Sequence, residues 1–387
     1  MNMLESSFQS GRRKLILVSN GAPYYRLAIF RLLRIRLLCR FVVGQLPAGI
    51  KCIPSAELVS SIGKTRNVPL FNKSYYQTGV WKLMFGSATD FLFLGEPRCI
   101  STWICLLLAR VTGKRIYLWT HGWYGRESRL AALIKKSFFQ LAWGTLVYGT
   151  HAARLAVQHR IHKSHRVTVV GNSLDYEQHV AERAGVSAQS PYRMRFRNGE
   201  KNLIFLGRLT KVKRLDLLLK AVARLREASF LCNVTFIGEG EDRSTLEALA
   251  LQLGVEDVWF TGETYDDSVL ATLIYHADLC VSPGNVGLTA IHCLTFGTPV
   301  VTHGDSSHQM PEFEAIHPGA TGAFFKNGDP ENLALVIGAW FAQGLDREEV
   351  RQACYDVVSR RWTPTYQLAQ IESALELSTE SCSVPGV

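Results

Sequence analysis

Long apolar runs are missing from this chain. The apolar run Ile104–Ala109 is closed by Arg110 and falls far short of the ~18 residues that a membrane-spanning helix needs. No transmembrane helix is expected. The N-terminus has no charged head followed by an apolar stretch and a small-residue cleavage site, which sets aside a secretory signal. Cysteine is present but unpatterned: nine residues, an odd number, with no CxxC pair and no Cys/His metal spacing. They read as buried or free thiols in a reducing cytoplasm, not as a disulfide frame or a zinc module. Helix-turn-helix, zinc-finger and RNP signatures are absent too, so nucleic acid is not expected as a partner.

What the chain does have is size and an uneven charge. Its 387 residues, 47% hydrophobic and 20% charged, are enough for two domains, each with a full core. Residues 1–180 hold 25 Lys/Arg against 7 Asp/Glu, a net of +18, and the remainder carries −8 of the overall +10. A basic front half points to an anionic partner. The stretch Ala28–Phe41 reads as a basic amphipathic helix, with Arg31, Arg34, Arg36 and Arg40 set among Leu and Ile. Such a helix binds anionic membrane surfaces; the competing reading is a core helix with an arginine-rich solvent edge.

Short apolar strands alternate with helical stretches in both halves, the signature of parallel α/β sheets. Early strands are predicted at 14–19, 90–94, 115–119, 144–148 and 167–170, later ones at 202–206, 233–237, 258–261, 279–282 and 299–302. Between the series, 184–201 is rich in Arg, Ser, Gln, Gly and Asn and reads as a linker. The predicted domains are therefore 1–183 and 202–360. A closing helical segment, 361–380, is expected to return to the first.

Four segments carry candidate chemistry. In Gly207-Arg208-Leu209, with Lys213 following, two cations sit at a strand-to-helix turn and can clamp a diphosphate, the arginine as a fork and the lysine as a point charge. A solvated basic turn is the alternative, since Lys211 and Arg214 crowd the same stretch. Ile237-Gly238-Glu239-Gly240 also ends a strand, where small residues admit a nucleotide or merely make a turn. Ser282-Pro283-Gly284-Asn285-Val286-Gly287-Leu288-Thr289 leads into a helix through Phe296, closed by Gly297 and Pro299. Glycines ahead of a helix expose N–H groups and the positive dipole end to an anion. Trp119-Thr120-His121-Gly122 places His121 at a strand end, as a proton shuttle, a hydroxyl contact or a structural histidine.

Taken in order, Gly207-Arg208-Leu209 with Lys213, Gly238-Glu239-Gly240, Phe260-Thr261-Gly262, and Gly287-Leu288 followed by Gly297-Thr298-Pro299-Val300-Val301 resemble the donor domain of glycosyltransferase family four, retaining enzymes of the GT-B fold. The resemblance runs from about Asn202 to Gly322, with weaker echoes at His121-Gly122 and at Val170–Asp175. It implies an α/β GT-B architecture, two Rossmann-like domains facing across a cleft, the first on the acceptor side. The implied activity is transfer of a sugar from a UDP- or GDP-sugar to a glycan or lipid-linked acceptor, in polysaccharide or glycoconjugate biosynthesis. Arg208 and Lys213 would hold the diphosphate and stabilise its developing charge. N–H groups from Val286 to Thr289 would bind the distal phosphate, His121 would touch the transferred sugar, and Glu239 would lie beside the base. Gly21, Gly207, Gly238, Gly284, Asn285, Gly287 and Leu288 complete the implied donor-binding set. The leaving phosphate would itself help deprotonate the acceptor.

Two departures qualify that resemblance. The family usually carries two glutamates with seven residues between them, and alignment on Gly287-Leu288 puts Gly284 and His292 in their places. Gly284 offers only backbone, whereas His292 can still exchange a hydrogen bond with a ribose. Glu312 or Glu314 is a candidate replacement carboxylate, with solvated surface as the default. Arg214 stands where the family often has glycine. No Asp-x-Asp pair occurs, so no metal or other cofactor is expected and the cations do the neutralising. The alternatives are a non-catalytic nucleotide-sugar binder and a sugar-nucleotide 2-epimerase. The expected location is cytoplasmic, peripheral on the inner face of the plasma membrane.

Overall fold

The computed structural model describes residues 14–45, 51–54, 62–264 and 266–380. They fall into two compact units: residues 1–170 with 368–387, and residues 171–367.

In the first unit the strands are β1 (Leu15–Ser19), β2 (Arg40–Val43), β3 (Ile62–Lys64), β4 (Asn67–Pro69), β5 (Tyr75–Gln77), β6 (Asp90–Leu94), β7 (Arg115–Thr120), β8 (Gly144–Val147) and β9 (Val167–Val169). Apart from the antiparallel β4–β5 pair they form one parallel sheet in the order β3-β2-β1-β6-β7-β8-β9. Period-two alternation explains why the strands read as continuous apolar runs. Leu15, Leu17, Leu92, Tyr117 and Trp119 enter the core on one face, and Ile16, Val18, Phe91, Phe93 and Leu118 the core on the other. Truncating a fully buried leucine such as Leu92 would cost about 2–5 kcal/mol.

The second unit repeats the plan with β10 (Lys201–Leu206), β11 (Cys232–Ile237), β12 (Val258–Gly262), β13 (Leu279–Ser282), β14 (Val300–His303) and β15 (Gly322–Phe325), all parallel, in the order β12-β11-β10-β13-β14-β15. Its helix Leu215–Glu227 buries Leu215, Leu218, Leu219, Val222 and Leu225, a helical-period stripe. Asp216 in the first turn and Arg224 and Arg226 in the last complement the helix dipole. Each sheet reverses its strand order once, between β1 and β6 in the first and between β10 and β13 in the second. In open α/β sheets ligands bind beyond the carboxyl ends of the strands at such a point.

Several expectations change in detail. The basic stretch is helical only over Leu27–Leu37; Leu38 takes a left-handed conformation (φ 50°), its N–H returns to the Leu33 carbonyl, and Arg40 opens β2 instead of closing a helix. Helices Tyr176–Ala184 and Pro191–Phe196 occupy the stretch read as linker and its approach, with Tyr192 buried and its hydroxyl donating to the Leu273 carbonyl at 2.6 Å. The chain therefore leaves the first unit at Val170. Beyond the break at Trp362–Thr363, helix Pro364–Glu380 returns, and its Leu368, Ile371, Ala374 and Leu375 join the first unit's core. Among the described residues Cys39, Cys99, Cys105, Cys232, Cys280, Cys293 and Cys354 are buried free thiols, and no helix is long and apolar enough to cross a membrane.

Candidate functional site

The reversal between β10 and β13 gathers most of the predicted donor residues. The segment after β10 is strapped to the one after β11: the Gly207 N–H donates to the Ile237 carbonyl (3.0 Å) and the Leu209 N–H to the Glu239 carbonyl (2.9 Å). Lys213 lies opposite the end of β13, and its ammonium donates to both the main-chain and the side-chain oxygen of Asn285, each at 2.8 Å. Burial pulls the Lys213 pKa down, while the charge of Glu312 acts in the opposite direction. Arg208 is exposed.

Close backbone contacts explain the glycines here. A Cβ on Gly238 would lie 2.2 Å from the Gly207 carbonyl oxygen, and one on Gly240 2.1 Å from that of Leu209. At Gly284 it would lie 2.2 Å from the Val212 oxygen, and the Gly284 N–H donates to the Lys213 carbonyl at 2.9 Å. The position where the family usually has its first glutamate is thus the floor beneath the Lys213 loop, with no space for a side chain.

Helix Leu288–Thr295 begins at Gly287, whose φ of 53° and ψ of −154° suit glycine. The Thr289 hydroxyl donates to the Leu206 carbonyl at 2.9 Å, tying the helix start to the end of β10. The Val286 N–H, expected to face a phosphate, instead donates to the Gln309 side chain at 3.0 Å. The N–H groups of Gly287, Leu288 and Thr289 lie ahead of the first bond within the helix, in which the Ala290 N–H donates to the Gly287 carbonyl at 3.1 Å. Gln309 in turn donates to the Thr302 hydroxyl (2.7 Å) and the His303 carbonyl (3.0 Å). This organising role has no signature in the sequence, because a lone glutamine has no spacing pattern.

His292 stacks on His179, with ring centroids 4.6 Å apart and 13° between planes, and also packs against Phe296. Burial, then the neighbouring His179, pushes its pKa down to about 3. Glu312 is not on solvated surface: it is buried and accepts from the Asn172 amide at 2.6 Å. Glu314 is half-buried, with Arg361 4.0 Å away. The Glu239 carboxylate is paired with Arg243.

Gly21 and His121 belong to the first unit. Gly21 is buried in the turn after β1, its carbonyl accepting from the Ser19 hydroxyl at 2.7 Å. His121, just beyond β7, lines a cavity of about 600 Å³ together with Arg26, Glu96, Arg98, Trp119 and Tyr148. Burial first, then Arg26 and Lys135, pushes the His121 pKa down to about 4. The ring is therefore neutral near pH 7, able to donate from one nitrogen and accept on the other. Among the described residues no group of His, Cys, Asp and Glu has the grouping of a metal site.

Residues 189–356 match the family model described as glycosyl transferases group 1. A GDP-mannose-dependent alpha-(1-6)-phosphatidylinositol dimannoside mannosyltransferase of Mycobacterium tuberculosis is 35% identical over 102 residues, 26% of each chain. An uncharacterized glycosyltransferase of Methanocaldococcus jannaschii is 32% identical over 210 residues, 51% of this chain and 50% of that one. The chain thus spans between a quarter and a half of these relatives. The Anabaena protein HepE in complex with UDP superposes with a TM-score of 0.70 at 14% identity, over 94% of this chain and 99% of that one. The fold is GT-B.

Proposed function

We propose, from the match of residues 189–356 to the model described as glycosyl transferases group 1, that this chain transfers a sugar from a UDP- or GDP-sugar to a glycan or lipid-linked acceptor, with retention. The observation that carries the reading is the fixing of Lys213 on Asn285 beside the start of helix Leu288–Thr295, at the strand-order reversal of the second sheet. A fixed cation and helix N–H groups together neutralise the charge that a departing nucleoside diphosphate develops. Arg208, exposed on the same loop, is the second cation of the clamp. His121 contacts the transferred sugar. UDP accompanies the HepE structure and GDP-mannose the mycobacterial relative, which makes these two bases the first to try.

Thermal unfolding against UDP, GDP, ADP and their sugar conjugates tests the donor pocket. A ligand at ~100 times its dissociation constant adds about 2.7 kcal/mol and raises the midpoint. Release of free nucleotide that depends on added acceptor then tests transfer. Silence toward every nucleotide rejects the proposal. Gly284, with no carboxylate and no room for one, favours a second reading, a non-catalytic nucleotide-sugar binder. That reading predicts a thermal shift without turnover.

The proposal extends to the cytoplasmic face of an anionic membrane. Helix Leu27–Leu37 exposes Arg31, Ile35 and Arg36, and Arg40 is exposed at the start of β2. Each basic group near such a surface contributes about 1 kcal/mol. Replacing Arg31, Arg36 and Arg40 by glutamate should release the protein from phosphatidylserine vesicles, and unchanged co-sedimentation rejects this extension.

A further inference from the structure

The first unit's cavity contains a guanidinium with no carboxylate beside it among the described residues. Arg26 is 7% exposed. It donates to the Tyr148 hydroxyl, its guanidinium carbon lies 5.0 Å from the Trp119 ring centre, and its Nε has no hydrogen-bond partner among the described residues. The groups that act on it electrostatically are the phenols of Tyr25 and Tyr148. Two other buried charges are paired: Asp90 with Arg115 at 2.8 Å, and Arg351, 6% exposed, with Glu348 at 2.6 Å. Leaving a buried charge without its counter-charge costs several kcal/mol. A cavity wall is the one setting in which a ligand supplies what the chain omits.

The rest of the lining fits the same ligand. Lys135 also lines the cavity, though its ammonium is held by Glu127 at 2.7 Å, and Arg98 is exposed at the rim. The acid in the lining, Glu96, accepts from the Tyr75 hydroxyl at 3.0 Å. Trp119, Tyr25 and Tyr124 offer aromatic surface on which the C–H face of a sugar ring can pack. We propose that this cavity recognises an acceptor saccharide through an oxyanion that it carries, a phosphate ester or a uronate carboxylate, seated on Arg26. The sugar in this statement rests on the sugar-transfer reading; the oxyanion rests on Arg26 and its surroundings.

Titration calorimetry of the full chain with glucose 1-phosphate, glucuronate and glucose, at matched ionic strength, tests it. At least one anionic probe should bind tenfold or more tightly than glucose, and the better of the two names the oxyanion. Arg26→Met, close in length but uncharged, should erase the preference. Lys163→Met, removing an exposed charge outside the cavity, should keep it. If Arg26→Met does not fold, Tyr148→Phe decides: losing the hydroxyl that holds Arg26 should cut the preference several-fold. Equal binding of the three probes overturns the inference, as does a preference that survives Arg26→Met or, where that variant does not fold, Tyr148→Phe. A nucleotide-induced thermal shift with no anionic preference discards the oxyanion site and leaves sugar transfer standing. An anionic preference with no response to any nucleotide does the reverse.

Discussion

Lys213 is held by Asn285 at two points, the main-chain carbonyl and the side-chain amide oxygen, each 2.8 Å from the ammonium. The lysine is thereby fixed in place beside the end of β13, at the reversal of the second sheet. Lys213→Met should lower turnover by about 10²-fold or more, as expected when a charge-stabilising contact is lost. Asn285→Ala removes one of the two contacts and should cost about tenfold. Steady-state nucleotide release measures both. Equal losses would mean that Asn285 has a role beyond holding the lysine.

Arg214 occupies left-handed backbone at φ 49°, which explains why related sequences often have glycine there. That conformation costs a non-glycine residue about 1–2 kcal/mol, partly offset by the larger chain entropy that glycine loses on folding. The Arg214–Asp216 ion pair is substantially exposed and adds little. Arg214→Gly should therefore raise stability by about 0.5–1 kcal/mol, read as a higher urea midpoint with an unchanged slope. A lower midpoint would give the arginine side chain a structural role.

Restoring the family's glutamate at Gly284 should fail. The Cβ alone would sit 2.2 Å from the Val212 oxygen, which is backbone and cannot swing aside. Gly284→Ala should already cost about 1–3 kcal/mol, as overpacking does, and Gly284→Glu more. Differential scanning calorimetry of the two variants checks this. An unshifted Gly284→Ala would show that the Lys213 loop yields easily.

Histidines give the protein an acid-sensitive window. Burial pushes His121 and His162 down to about 4 and His292 to about 3. The folded chain keeps these rings neutral, while the unfolded chain takes up protons below pH ~6.5. Their contribution is complete above that value and is lost as pH falls toward 4, at up to about 1.4 kcal/mol per pH unit for each ring. Urea midpoints between pH 7.5 and 5 should fall before most carboxylates titrate. His162→Gln and His292→Gln should each flatten the slope, and identical slopes in wild type and variants would remove the histidines as its cause.

The repeated strand-and-helix plan was legible because apolar runs such as Asp90–Leu94 and Leu279–Ser282 are buried on both faces and end where turn residues begin. Strands β2, β3 and β15 were not. Ile62–Lys64 and Gly322–Phe325 are short and half-polar or glycine-led, and Arg40–Val43 follows a helix so closely that its residues read as one continuous basic stretch. At the site, the Lys213 loop and the helix start at Gly287 carried local signatures. Asn285 as the lysine's partner, Gln309 on Val286, Glu312 near Lys213, and Arg26 without a carboxylate could not be read, since each depends on residues brought close from elsewhere in the chain.

The return of helix Pro364–Glu380 means that the first unit is not encoded as one contiguous piece. A gene fragment ending at Val170 would lack Leu368, Ile371, Ala374 and Leu375, and so would expose part of its core to water. An expression design for that unit alone has to splice the closing helix behind Val170. A stop codon between Val170 and Leu368 would remove that helix and damage the unit whose strands are synthesised first.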